Sequence, residues 1–192
     1  MMNCLKTVSI AKEIGQGRMW SLSLLVMLLY FLLFYTLFQT FGAQTALVDY
    51  GFLTFTAGFV LIMPVHLLLH CLPLWLTGRR ASIGVRRSQW PYFYYSVKRP
   101  TARIPGLTAT LCPAVVITAA AVLLAFLFPA HTHFIAIISA VNFGLSTYDF
   151  FVARQMFAAP KEALIEENPT GFHVIQQTAE AKAKAEAKTL SI

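Results

Sequence analysis

Charge is what this chain has least of. Asp, Glu, Lys and Arg make up 12% of its 192 residues, about half the ~25% of an ordinary soluble domain. That excludes a water-facing globular domain as the whole of the molecule. Cysteine is also scarce. Cys4, Cys71 and Cys112 are three in number with no C-x-x-C spacing, so no disulfide framework follows from them. They read as small buried hydrophobes, and Cys71 is a poor metal ligand because successive helix residues point about 100° apart. Internal repeats of useful length are missing as well.

In place of charge there are four long apolar stretches, within a composition that is 57% hydrophobic with mean hydropathy +0.64. They run over Met19–Phe41, Phe52–Leu76, Leu107–Phe128 and Phe134–Ala153, and each reaches the ~20 residues that cross a hydrocarbon core of ~30 Å. The expected fold class is an all-α membrane protein with four transmembrane helices, at about 19–41, 52–76, 107–128 and 134–153. The first stretch is too long for the 7–15-residue core of a signal peptide and is expected to stay as an anchor.

The net charge of +7 has a location. Lys and Arg number three in residues 1–18, seven in 78–106 and five from 154 onward, with none in the connections 42–51 and 129–133. Alternation of this kind is the positive-inside pattern. It assigns a cytoplasmic N-terminus (1–18), a cytoplasmic loop (78–106) and a cytoplasmic tail (154–192) to a multi-pass protein of the cell membrane. The basic excess suits anionic lipid; a nucleic-acid partner would need a basic soluble face. Short outer connections make helices one and two, and helices three and four, the expected antiparallel neighbours.

The loop "ASIGVRRSQWPYFYYSVKRPTARIP" is β-branched, aromatic and broken by Gly84, Pro91 and Pro100, which fits an interfacial, β-like hairpin better than a helix. Its Trp90, Tyr92, Tyr94 and Tyr95 suit the lipid headgroup level. In the tail, a turn at 168–171 precedes a strand-like Phe172–Ile175. The Ala-rich segment from about 178 has too little apolar surface to dock and is expected to be mobile. His131 and His133 read as a polar outer turn, and His173 has no evident partner.

Ionisable groups inside the apolar stretches are His66 and His70 in "PVHLLLHCLPLW" and Asp149 in "NFGLSTYDFF". A carboxylate at helix centre costs about 2.5–3.5 kcal/mol, so it is expected to face a partner or water. Asn142, Ser146 and Asp149 recur at i, i+4 and i+7 and form one polar stripe, which Ser139 extends. His66 and His70 stack on one face of helix two. His70 lies about 10 Å from the helix end at Thr77, and Asp149 about 7–8 Å before Arg154, at ~1.5 Å per residue. The three groups can therefore meet at one depth. Two imidazoles and a carboxylate would hold zinc with one tetrahedral position open. The plainer alternative is that they hydrogen-bond one another and tie two helices together.

These residues resemble a family of small bacterial membrane proteins known as putative zincin peptidases, related in layout to the site-2 proteases. The matching elements are "HLLLH" (His66, His70), "CPAVVI" with Pro113, "NFGLSTYD" (Asn142, Ser146, Asp149) and the tail "APKEALIEENPTGFHV". The resemblance implies four helices, zinc on His66, His70 and Asp149, and an intramembrane hydrolase. It also implies H-E-x-x-H on the second helix, where this chain has Leu67 in place of the glutamate. That glutamate would accept and return a proton, a service worth about 10²–10⁴-fold, so no catalytic residue is assigned. Three functions remain open. One is a zincin-like protein without proteolytic activity, which binds a transmembrane segment of another protein. The second is a working metalloprotease with a displaced base, for which Glu162, Glu166 and Glu167 are the nearby carboxylates. The third is a small transport or proton-relay subunit that uses His66, His70 and Asp149 as titratable sites.

Overall fold

The structure, a computed structural model, describes residues 2–9, 13–43, 45–49, 51–85, 93–97, 100–168 and 171–177. Trp90, Tyr92 and the Ala-rich tail lie outside the described residues. Strand β1 (Met2–Val8) leads into helix α1 (Gln16–Phe41), followed by α2 (Gly51–Leu76). A hairpin of β2 (Ala81–Val85) and β3 (Phe93–Val97), then β4 (Thr101–Ala102), precedes α3 (Arg103–Leu127). The chain ends in α4 (Thr132–Leu145), α5 (Thr147–Ala158), β5 (Leu164–Asn168) and β6 (Gly171–Gln177).

Helices α1, α2 and α3 are each long and apolar enough to cross a membrane, and α4 with α5 makes a fourth candidate span bent by 44°. Their outward faces carry exposed Leu25, Leu29, Leu33, Leu53, Leu61, Val115, Leu123 and Phe126. So continuous an apolar surface is unsuited to water.

The all-α expectation needs correction. The expected hairpin in the loop between the second and third spans is there as the two-stranded ribbon of β2 and β3, and the strand-like Phe172–Ile175 lies in β6. Four strands also form an unexpected antiparallel sheet in the order β1-β6-β5-β4. The first residues are thus a paired strand and not merely a tail. Val8, Ile165, Phe172 and Val174 on one sheet face pack against Met19 of α1, Leu107 of α3, and Val152 and Met156 of α5. His173 does have partners: its Nδ1 lies 2.9 Å from Thr7 Oγ1 and 3.9 Å from Cys4 Sγ. Strand β1 is paired with a strand that lies some 165 positions further on, which local alternation cannot announce.

Helix neighbours also differ from expectation. Helix α3 packs against α4 and α5 as expected, but α1 leans chiefly on α4 rather than on α2, and α2 packs side by side with α3. Gly144 permits the contact of α1 with α4, since a Cβ there would sit 2.9 Å from Met27 Cβ and 3.0 Å from Ser23 O. Gly144→Val is expected to destabilise the fold by about 1–3 kcal/mol, as overpacking does. Unfolding titrations in detergent would read the shift.

The fourth span bends where sequence chemistry allows it. Ser146 Oγ donates to Asn142 O of its own helix at 3.0 Å, a back-bond that bends helices, and Gly144 lies two residues before. Asp149 falls in the first turn of α5, where the positive end of the helix dipole favours a carboxylate. Helix α5 continues to Ala158, so Asp149 is about 13–14 Å from its end rather than 7–8 Å. The 44° bend shortens that reach to about 10 Å along α4, close to the ~9 Å between His70 and Leu76.

Candidate metal centre

Helix α2 presents His66 and His70 one turn apart, and both are buried, as is Asp149. His66 Nε2 and His70 Nε2 lie 3.1 Å apart. Asp149 Oδ2 is 3.4 Å from the first and 3.5 Å from the second. Among the described residues this is the one trio of His, Cys, Asp or Glu side chains that can hold a metal ion. Cys71, fully buried beside His70, is not part of it.

The protons of this trio are fixed from outside it. Ala109 O lies 2.9 Å from His70 Nδ1, and a carbonyl can only accept, so Nδ1 carries the hydrogen. Asn142 Nδ2 donates to Pro113 O at 3.3 Å. The amide therefore turns its Oδ1 to His66, whose Nδ1–H donates to it at 2.8 Å. In neutral rings both Nε2 atoms are then bare lone pairs. Two lone pairs and a carboxylate oxygen converge with no proton between them, and Asp149 Oδ2 has no hydrogen-bond partner among the described residues.

Magnitude decides what belongs there. A charge-assisted N–H···O bond would draw its atoms to about 2.7–2.9 Å, and one proton can serve only one of the three edges. Zinc with bonds of ~2.0–2.2 Å and tetrahedral angles holds its donors about 3.3–3.5 Å apart. The two edges to Asp149, 3.4 and 3.5 Å, match that spacing, while the 3.1 Å between the two Nε2 atoms is shorter and lies in hydrogen-bond range. Each histidine also gives its second nitrogen to a carbonyl or amide oxygen, the outer support that metal-bound imidazoles usually have.

A family profile described as putative zincin peptidase matches residues 59–164. The chain belongs to this family. The match covers more than half of the chain, from the middle of α2 to the first residue of β5, and so includes all three convergent side chains. No curated protein and no solved structure matches.

Around the zincin-family trio the polar stripe divides its work. Asn142 supports His66, and Ser146 holds the bend. Ser139 faces elsewhere, with its Oγ 2.7 Å from Tyr30 OH on α1. Two contributors were not anticipated. The Ala109 carbonyl is invisible to side-chain patterns. Tyr95 of β3 stacks on the His70 ring at 4.7 Å with the planes 20° apart, and its hydroxyl lies 3.1 Å from Thr110 Oγ1.

The hairpin is anchored to bring Tyr95 there. Gly78, at φ 72°, ends α2 with Arg79 N donating to Leu74 O, the left-handed helix stop that glycine favours. Trp75 Nε1 then donates to Ala81 O at 3.1 Å. Tyr95→Ala is expected to expose His70 and speed its modification by diethyl pyrocarbonate, read by peptide mass spectrometry. Tyr95→Phe keeps the ring and is expected to behave like wild type.

Proposed function

We propose that this protein is a zincin-type membrane protein that holds a divalent ion on His66, His70 and Asp149 and does not hydrolyse peptide bonds. The observation that carries the first half is the convergence of His66 Nε2, His70 Nε2 and Asp149 Oδ2 within 3.1–3.5 Å of one another. Two imidazoles and a carboxylate are a zinc donor set, and an ion shared among them would offset the cost of burying each polar group. An ion there would supply Lewis-acid polarisation of a bound carbonyl.

The second half rests on the missing base. Leu67 stands where the motif of the resembling proteins has glutamate, and a buried isobutyl group neither takes nor returns a proton. Asp149 is the one buried carboxylate among the described side chains; Glu162 and Glu166 are exposed. In this reading the domain of four spans, about 19–153, sits in the cell membrane with residues 1–18, 78–106 and 154–192 on the cytoplasmic side. Its work is to bind a transmembrane segment of another protein. The test is incubation of the reconstituted full chain with model membrane substrates. No cleavage is expected. Cleavage by wild type that His70→Ala abolishes would replace this reading with a working metalloprotease whose base lies elsewhere.

A further inference from the structure

Pro113 sits in the middle of α3, a helix that contributes no member of the trio. Proline has no backbone N–H, so the carbonyl four residues earlier loses its helical donor. That carbonyl is Ala109 O, the acceptor for His70 Nδ1–H at 2.9 Å. Within apolar surroundings a carbonyl freed by proline must find another donor, and here a neighbouring helix supplies it. Pro113 O in turn takes Asn142 Nδ2, which fixes the amide that orients His66.

We propose that Pro113 is a positioning residue for the centre: by withholding one N–H it reserves the Ala109 carbonyl for His70 and so keeps His70 Nε2 bare and aimed at His66 and Asp149. A proline in a membrane helix is usually accounted for by a bend. Here the missing hydrogen bond is itself the function. The consequence for metal binding rests on the proposed function above, but the proton arrangement does not.

Ring ¹⁵N shifts of the metal-free full chain in detergent, at a pH where both imidazoles are neutral, read the arrangement directly. Wild type is expected to show Nδ1–H for His66 and His70. Pro113→Ala supplies a new N–H to Ala109 O. His70 is then expected to shift toward the Nε2–H tautomer while His66, held by Asn142, stays as it was. Zinc affinity is expected to fall about 10–100-fold, the usual cost of losing an outer support. An amide-to-ester replacement at position 113 also lacks the N–H but has no ring, and it is expected to keep the wild-type tautomer.

An unchanged His70 in Pro113→Ala would overturn the proposal. So would an ester variant that behaves like Pro113→Ala, because the ring and not the absent hydrogen would then matter. If the tautomer shifts as expected but wild type binds no zinc, the positioning role stands and the metal reading alone fails.

Discussion

Chelation is expected to lower the unfolding free energy of the wild-type protein by about 4 kcal/mol when it starts at a free zinc concentration near a thousand times its dissociation constant. The same treatment is expected to leave Asp149→Ala unchanged. In the proposed reading an ion would bind the folded trio and not the dispersed side chains, so its binding energy would add to stability until it is removed. The alternative, in which His66, His70 and Asp149 merely tie helices together, predicts the reverse pattern. Wild type would be indifferent to the chelator, and Asp149→Ala would itself be destabilised by about 3–5 kcal/mol, as when one partner of a buried pair is removed. Measuring wild type and variant with and without chelator separates the two.

The second large effect concerns catalysis. Leu67→Glu places a carboxylate one residue after His66 on α2, where the proposed function puts the missing proton carrier. Gain of hydrolysis of about 10²–10⁴-fold over wild type is expected on model transmembrane substrates, the range that general acid–base catalysis supplies. Leu67 is buried, so the new carboxylate needs a partner there, and the zinc-loaded protein is the form to test. Leu67→Gln has similar reach but exchanges no proton, and it is expected to stay inactive. Equal activity of wild type, Leu67→Glu and Leu67→Gln would show that position 67 does not carry the deficit.

Much of the centre was legible in the sequence because it is written in side chains with helical spacing. His66 and His70 sit at i, i+4, and Asn142 and Asp149 at i, i+7, in stretches otherwise too apolar to carry them. What lay beyond reach follows physical lines. The Ala109 carbonyl has no side-chain signature, although Pro113 four residues later was a usable clue. Tyr95 reaches His70 only because a glycine stop and a tryptophan anchor fold the hairpin back on α2. Strand β1 pairs with β6 across almost the whole chain, and a straight-helix estimate of depth could not contain the bend at Ser146. The spans, the hairpin and the strand-like Phe172–Ile175 were legible, whereas strand β1 and the sheet that joins the two ends were not, since membrane length is a local property and sheet pairing is not.

The most direct test of the central claim is the metal content of freshly purified full-length protein in detergent, set beside His66→Ala and Asp149→Ala. Close to one zinc per chain in wild type, lost in both variants while their helical signal is retained, is the predicted result. Metal-free wild type, or zinc kept equally by all three, would contradict it.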